Sequence, residues 1–336
     1  MKFFDAISLK AQGLIEPNLK RRHPFQRLPQ KYKEVVREEV WNLSENSAGV
    51  SILFISDTAN LSVKWSLKHD LRMNHMTDAG IKGVDLYEKR DQNWYYIGTC
   101  LPNGKENDQI LFEDIDKKKR EYCLFLPLYD TLIDMRIGLD DDSSIENITF
   151  QNKPLVFYGT SITQGGCASR PGLAHTNIIS RELGYECINL GFSGNGHLES
   201  SIGAIMSDID ASLYVVECMY NVDKKMINQK TRSLIKAIRA NPNSKNTPII
   251  FMEQAVIDIG HINAEFISSV MEKNEELNKQ IQESINRGEK DLFIIKHTGA
   301  IDEDSEATVD GIHFNDLGFQ RYADHFLKNI EELDIL

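Results

Sequence analysis

The sequence predicts two domains of different fold class, an all-β domain followed by an α/β domain. Up to residue 150, short apolar runs with partial alternation are separated by turn residues such as Pro102, Asn103 and Gly104. After Lys153, apolar runs alternate instead with stretches of helical periodicity. Strands connected by helices are typical of a parallel sheet that helices cover on both faces. We therefore predict a β domain over residues 1–150 and an α/β domain over residues 151–336.

The β domain contains short strand candidates bounded by turns, a spacing that favours a sandwich or a jelly roll. These candidates lie at residues 50–55, 61–67, 93–98 and 122–128. All tryptophans of the chain fall in this half, namely Trp41, Trp65 and Trp94. Exposed aromatic faces can bind sugars, but buried sandwich aromatics are commoner, so we expect at least two of these residues in the core.

The α/β domain contains five apolar runs that read as buried strands and five amphipathic stretches that read as helices. The predicted strands lie at residues 154–158, 187–190, 213–217, 248–252 and 292–295. The predicted helices lie near residues 173–183, 198–207, 223–240, 263–287 and 316–331.

The composition indicates which binding partners and which cellular compartment to expect. The formal net charge of −12 argues against nucleic acid as the main partner and gives no support for binding to an anionic membrane. The five cysteines form no CxxC pair, which favours free thiols over disulfides or a zinc site. No signal peptide and no run of 18 apolar residues is present, so we expect a cytoplasmic protein. We expect no metal or cofactor, and a homo-oligomer is one alternative for the assembly.

A glycine-rich turn directly after the first strand of the α/β domain carries Ser161. The turn reads GTSITQGG over residues 159–166. Ligands bind open α/β sheets at the carboxyl ends of strands, which is where this turn lies. It is not the GxSxG elbow of α/β-hydrolases, because residue 163 is threonine, and it is not a phosphate loop, because no Gly-Lys-Ser/Thr follows. By itself this pattern is more typical of an ordinary loop than of a nucleophile.

A carboxylate and an imidazole, Asp310 and His313, lie three residues apart near the other end of the chain. In a tight turn this spacing directs both side chains to one side, so that the carboxylate can fix the tautomer of the ring. By themselves, Asp310 could cap a turn and His313 could be a surface histidine. Together with Ser161 they supply the nucleophile, the base and the group that orients the base in a serine hydrolase.

Acyl transfer also needs hydrogen-bond donors for the developing negative charge, and two loops offer them. Residues 189–196 follow the second strand and contain three glycines, which leave main-chain N–H groups accessible. Asn221 follows the third strand and offers a side-chain amide. The structural alternatives are that these glycines only make turns and that Asn221 caps the helix beginning near Asp223.

These blocks, in this order, resemble the SGNH (GDSL-type) hydrolase superfamily over about residues 153–331. The resemblance implies that Ser161 is the nucleophile and, through its own N–H, the first oxyanion donor. Gly194 and Asn221 would be the second and third donors. His313 would be the base, oriented by Asp310.

The chain departs from the family pattern at two positions. Thr160 stands where an aspartate usually precedes the serine, and Met219 stands where a glycine usually lies two residues before the asparagine. Neither position transfers a proton, so we expect the chemistry to persist.

A narrower resemblance covers nearly the whole chain. The segment GVDLY at residues 83–87, with GGCASRPG at residues 165–172, is similar to a bacterial group in which a "GxDLY" β-sandwich precedes the SGNH domain. This resemblance implies a small jelly-roll-like sandwich joined to a three-layer, flavodoxin-like α/β/α domain of about five parallel strands. Similar two-domain enzymes are often carbohydrate O-acetyl esterases.

Other residues around these motifs have two interpretations each. Arg170 could bind a substrate oxygen or an anionic group, or it could hold its loop by hydrogen bonds to backbone carbonyls. We expect Cys167 to be a packed thiol rather than a rival nucleophile. We expect His175 and His197 to be capping or surface residues rather than a second base.

The sequence thus predicts a serine esterase that acts on a short-chain ester, with O-acetyl groups on a small-molecule or oligosaccharide substrate as the favoured target. A lipase, lysophospholipase or thioesterase with the same triad is one alternative. A carbohydrate-binding protein with a relict site is another.

Overall fold

The structure is a computed structural model that describes residues 1–257, 262–302 and 304–336. Within these residues, two antiparallel sheets lie in the N-terminal half and one parallel sheet lies in the C-terminal half. The chain passes from one half to the other between Asn147 and Leu155. Neither half contains, in its described residues, a helix that is both long and apolar enough to cross a membrane.

The N-terminal half is the predicted sandwich. One sheet has the strand order β1-β8-β3-β6 and the other has the order β5-β4-β7-β2-β9. Alternating apolar side chains of both sheets meet in one buried core, which includes Phe54, Trp65 and Leu86. The strands are β1 (Lys2–Asp5), β2 (Ser51–Ser56), β3 (Leu61–Leu67), β4 (Val84–Arg90), β5 (Asn93–Cys100), β6 (Glu106–Phe112), β7 (Arg120–Phe125), β8 (Leu132–Leu139) and β9 (Ile145–Asn147), with short helices α1 (Glu38–Leu43) and α2 (Asp78–Lys82) between them.

The C-terminal half is the predicted α/β domain, with every predicted strand and helix present. Its strands are β10 (Leu155–Gly159), β11 (Cys187–Gly191), β12 (Leu213–Glu217), β13 (Ile249–Met252) and β14 (Leu292–Ile295), and its helices are α3 (Ser161–Gln164), α4 (His175–Leu183), α5 (Ser200–Ser207), α6 (Lys224–Ile238), α7 (Ala264–Asn286) and α8 (Asp316–Leu333). Helices α4 and α8 pack on one face of the sheet and α5, α6 and α7 on the other, which gives three layers.

All strands of this sheet are parallel, in the order β11-β10-β12-β13-β14. From β10 the chain adds β11 on one side of the sheet and then returns to add β12 on the other side. The flavodoxin-like switch point therefore lies at the carboxyl end of β10. Ser161 lies two residues after that end.

In the segment between β1 and β2, Leu14 and Phe25 lie in the sandwich core, but the part at residues 28–41 packs on the parallel sheet. The apolar residues of this part, among them Leu28, Val40 and Trp41, share a buried core with Ile188 and Leu190 of β11. A division of the chain at residue 150 therefore does not describe where this segment packs. Trp41 and Trp65 are both buried, as predicted, but they lie in different cores.

Candidate active site

The nucleophile turn is a helix start fixed by two threonines. Thr160 caps α3, and its Oγ1 accepts the N–H of Ile162 at 3.3 Å. Thr163 Oγ1 accepts the N–H of Thr160 at 3.2 Å, which completes a capping box. The threonine that replaces the usual aspartate thus holds Ser161 at the first helical position. Ser161 is only 7% exposed there.

A buried polar network lies beneath this turn. Thr163 Oγ1 donates to Oε2 of Glu217, at the end of β12, at 2.7 Å. Oε2 of Glu217 also lies 3.0 Å from Nε2 of His175. His175 is fully buried and its ring stacks on Phe319 with 5.8 Å between the ring centroids. The prediction that His175 is a capping or surface residue is therefore wrong, because the side chain instead supplies a polar partner to a carboxylate inside the core.

In the structure, Ser161, His313 and Asp310 lie close enough to form a chain of hydrogen bonds. Ser161 Oγ lies 3.0 Å from Nε2 of His313, and Nδ1 of His313 lies 2.8 Å from Oδ2 of Asp310. The carboxylate beside Nδ1 favours the tautomer with the proton on Nδ1, which leaves a lone pair on Nε2 facing the serine hydroxyl. This is the geometry in which an imidazole can take a proton from a serine.

Asp310 is held by the turn that follows it. Its Oδ1 accepts the main-chain N–H groups of Ile312 at 3.0 Å and His313 at 2.8 Å. Burial acts to raise the pKa of the carboxyl, but the hydrogen bonds from the main chain and ring of His313 outweigh it and hold that pKa below its ordinary value. The group therefore remains a carboxylate, which is the form that orients the imidazole.

The two predicted donor loops lie beside the nucleophile turn. Gly159 of β10 pairs with Gly191 of β11 on one side and with Glu217 of β12 on the other. Gly194 has a φ of 68°, a left-handed conformation that only glycine adopts without strain. This conformation lets the loop turn back over the end of the sheet.

Asn221 is oriented by the neighbouring loop. Its Oδ1 accepts the N–H of Gly196 at 3.2 Å, so the NH2 group is the part of the amide that is left for a ligand. The cap of α6 is Asp223, whose side chain accepts the N–H of Met226. The alternative that Asn221 caps this helix is therefore wrong.

Two arginines that the sequence analysis did not consider hold the Gly194 loop from the N-terminal half. Arg27 is fully buried and donates to the carbonyls of Asn189 at 3.0 Å and Gly191 at 2.7 Å. Arg37 Nη1 donates to Oδ1 of Asn195 at 2.8 Å. No local pattern marks these arginines, because their partners lie more than a hundred residues away in the sequence.

Arg170 lies at the interface between the two halves. Its Nη1 donates to Oδ2 of Asp85 at 2.8 Å and to the hydroxyl of Tyr87 at 2.6 Å, and the guanidinium lies 3.9 Å from the ring centroid of Tyr96. These partners are side chains of the GVDLY segment and its neighbouring strand, not backbone carbonyls. This geometry favours a structural role for Arg170, and its contact with substrate stays a prediction.

Cys167 and His75 also lie beside the base. One ligand atom from each of His75, Cys167 and His313 lies within 4.8 Å of the other two. No spacing in the sequence indicates this cluster, since the three residues come from distant segments. Cys167 is 6% exposed, and burial raises the pKa of its thiol to about 12, which agrees with a packed thiol rather than a nucleophile.

Known family models match both halves of the chain. A family model described as GDSL-like lipase/acylhydrolase matches residues 152–331. A second model, described as the N-terminus of an SGNH-hydrolase-type esterase and called GxDLY, matches residues 1–145. No curated protein sequence matches the chain.

The solved structures that match the chain along its whole length include three with different described activities. A protein from Bacteroides ovatus described as a GDSL-like lipase is 32% identical, with a TM-score of 0.94, and the match covers 100% of this chain and 98% of that one. A salicylyl-acyltransferase from a tetracycline biosynthetic pathway is 15% identical, with a TM-score of 0.81 and the same coverage. An acetyl xylan esterase from Butyrivibrio proteoclasticus is 12% identical, with a TM-score of 0.62 and 100% coverage of both chains. The last two likenesses show the fold alone.

Proposed function

Because the chain belongs to the GDSL-like lipase/acylhydrolase family and is an ester-bond hydrolase, we propose that it removes short acyl groups, acetyl above all, from a carbohydrate by an acyl-enzyme mechanism. The observation that carries this proposal is the contact of 3.0 Å between Ser161 Oγ and Nε2 of His313, with Asp310 on the other ring nitrogen.

In the first half of the reaction, Ser161 Oγ attacks the ester carbonyl while Nε2 of His313 takes the hydroxyl proton. The imidazolium that forms is stabilised by the carboxylate of Asp310. The oxygen of the tetrahedral intermediate accepts hydrogen bonds from the N–H groups of Ser161 and Gly194 and from the amide of Asn221. Collapse of the intermediate expels the alcohol, which receives the proton from His313.

In the second half, water attacks the acyl group on Ser161. His313 takes a proton from this water and returns it to the serine oxygen as the acid leaves. The same donors stabilise the second tetrahedral intermediate, so a single set of residues serves both halves.

Packing around the nucleophile supports a short acyl group. Ser161 is nearly enclosed, and its neighbours Tyr129, Ile162 and Cys167 are buried too. The Tyr129 hydroxyl donates to the carbonyl of Ser161 at 3.3 Å, which brings the N-terminal half against the turn. An enclosed nucleophile suits a small acyl group better than a long chain. The shared fold with an acetyl xylan esterase makes acetylated oligosaccharides the first substrates to test.

The test is to measure acetate release from a panel of acetylated oligosaccharides by the wild type and by Ser161→Ala. We expect wild-type turnover on at least one member and a loss of at least about 10³-fold in the variant. Ser233→Ala, at an exposed serine of α6, is the matched control and should retain wild-type rates.

Acetyl and octanoyl esters of the same alcohol separate the acyl-chain alternatives. A higher kcat/KM on the octanoyl ester would favour the lipase or thioesterase alternative over ours. Full activity of Ser161→Ala, or no hydrolysis of any ester by the wild type, would contradict the mechanism and point to a relict carbohydrate-binding site.

A further inference from the structure

Three side chains that the linear sequence keeps apart meet at the rim of the triad. His75 comes from the loop before α2, Cys167 from the loop after α3 and His313 from the turn before α8. Their ligand atoms all lie within 4.8 Å of one another, and the rings of His75 and His313 have centroids 5.5 Å apart. Two imidazoles and a thiol form a donor set that zinc prefers.

Both histidines have an oxygen beside Nδ1, which favours the tautomer whose Nε2 lone pair can bind a metal. His313 has Nδ1 against the carboxylate of Asp310, which leaves the lone pair on Nε2. His75 has Nδ1 3.1 Å from Oδ1 of Asn74, which favours the same tautomer. A carboxylate or carbonyl oxygen on the second ring nitrogen is the usual support of a metal-bound histidine.

The local backbone brings the thiol and His75 together. Cys167 has a φ of 77°, a left-handed conformation that is unfavourable for a residue with a side chain. Gly80 of α2 lies so close to this loop that a Cβ there would approach the carbonyl oxygen of Ala168 to 2.2 Å. The loop that carries His75 is thereby packed against the loop that carries Cys167. His75 and His313 are both partly exposed, so an ion can reach them from solvent.

We propose that His75, Cys167 and His313 form a binding site for Zn2+, and that the bound ion reversibly inhibits the enzyme. Nε2 of each histidine and Sγ of Cys167 would ligate the ion, with water or Ser161 Oγ in the fourth position. The thiol proton passes to solvent as the Zn–S bond forms. Tetrahedral zinc places N and S ligands about 3.3–3.7 Å apart, so small side-chain rotations close the site.

Inhibition would follow because the metal occupies the lone pair on Nε2 of His313. Nε2 of His313 is the atom that accepts the proton of Ser161, and it cannot do so while it ligates zinc. Inhibition rests on the proposed function, whereas binding of the metal does not. The two are therefore measured separately.

Binding is measured with Co2+ and Zn2+ on the Ser161→Ala protein, in which hydrolysis plays no part. We expect one Co2+ per chain with a thiolate-to-cobalt charge-transfer band, and displacement of that band by Zn2+. Adding Cys167→Ser should abolish the band, and adding His75→Gln should weaken binding at least about tenfold. Cys100→Ser, at a buried thiol of β5, is the control and should change neither.

Inhibition is measured as the Zn2+ concentration that halves hydrolysis of an acetyl ester, with each variant normalised to its own rate in EDTA. We expect this concentration to rise at least about tenfold in Cys167→Ser and in His75→Gln, but not in Cys100→Ser. Thermal unfolding followed by circular dichroism checks that each variant is folded, and Cys167→Ala replaces Cys167→Ser if the latter is not. Failure of Co2+ to bind, or equal binding in all variants, would overturn the site. Binding without inhibition of an active enzyme would overturn the inhibitory role.

Discussion

A single hydrogen bond decides which end of the Asn221 amide can act as a donor. Because Gly196 donates to Oδ1, the opposite orientation of the amide would place two donors against each other. The NH2 group is therefore presented in advance of substrate binding, which is the condition under which an oxyanion donor contributes most.

Replacing this amide tests its role directly. We expect Asn221→Ala to lower kcat by about 10²–10³ while KM changes little, since the donor acts on charge that develops only in the transition state. Steady-state kinetics on an acetyl ester measures both constants. Asn228→Ala, at an exposed asparagine of α6, should be neutral. An equal loss in both variants, or a change confined to KM, would exclude the proposed role.

At the scale of elements, the carboxyl end of β11 depends on a residue outside the α/β domain. Arg27 donates to the carbonyls of Asn189 and Gly191, and also to those of Leu43 and Asn46 at 2.7 and 3.0 Å. Its guanidinium thereby links the end of the strand to the segment around α1. The loop that carries Gly194 begins where these bonds end.

Arg27→Met should therefore lower both stability and kcat. Loss of the guanidinium removes a donor from buried carbonyls, at about 1–3 kcal/mol for each one left unpaired, and frees the start of the Gly194 loop. Urea denaturation and steady-state kinetics measure the two effects. Arg239→Met is a matched control, because Arg239 also donates to backbone carbonyls, including those of Ser244 and Lys290, but near the amino ends of β13 and β14. We expect it to lose stability without losing kcat, and equal losses of kcat would contradict the argument.

Helix α7 supports the turn that carries Asn221. Lys273 donates to the carbonyl of Met219 at 3.0 Å and also to Oε1 of Gln254. Burial lowers its pKa from 10.5 to about 8, although the carboxylate of Asp223 partly opposes this shift. The helix thus carries a cation that is costly to bury beside the turn of Asn221.

This shift predicts a pH dependence of stability. Between the folded pKa of about 8 and the ordinary value of 10.5, the unfolded chain keeps a proton that the folded chain has released. Stability from this group therefore rises with pH across that range. We expect the free energy of unfolding of the wild type, minus that of Lys273→Met, to increase as pH rises through the range. Denaturant titrations at several pH values measure it, and a difference that stays constant or falls across the range would contradict the shift.

Sequence reasoning identified the elements whose signals are local and missed those that depend on distant partners. The strands of the parallel sheet are continuous apolar runs, so they could be predicted, and the motifs of the proposed triad were visible because they lie at strand and helix ends. Strands such as β6 and β8 mix exposed and buried residues irregularly, which hid them. Arg27 and His75 face residues far along the chain, and no spacing in the sequence indicates such contacts.

The whole molecule is held together by cores that both halves share. Ala48, Met76 and Leu128 of the N-terminal half lie in one buried cluster with Leu155 and Phe157 of β10. Residues around α1 lie in a second cluster with β11, on the other face of the parallel sheet. Neither half can expose these residues without opening the core of the other.

We therefore expect the two halves to unfold in one cooperative transition. Fluorescence of Trp65, in the sandwich core, and activity, which depends on the proposed triad in the C-terminal half, report on different halves. Their denaturation midpoints should coincide. A Trp41→Phe, Trp94→Phe variant, which keeps only Trp65, restricts the fluorescence to the sandwich core. Two separated midpoints in that variant would show that the halves unfold independently.

The packing of the segment around α1 has a consequence for biosynthesis. Leu28, Val40 and Trp41 leave the ribosome early, but their partners on β11 are translated only after residue 186. During that interval these side chains lack the apolar surface of β11, and the sandwich does not replace it because they do not belong to its core. The nascent chain thus carries an uncovered apolar segment until more than half of it has been made, which is a state that molecular chaperones bind.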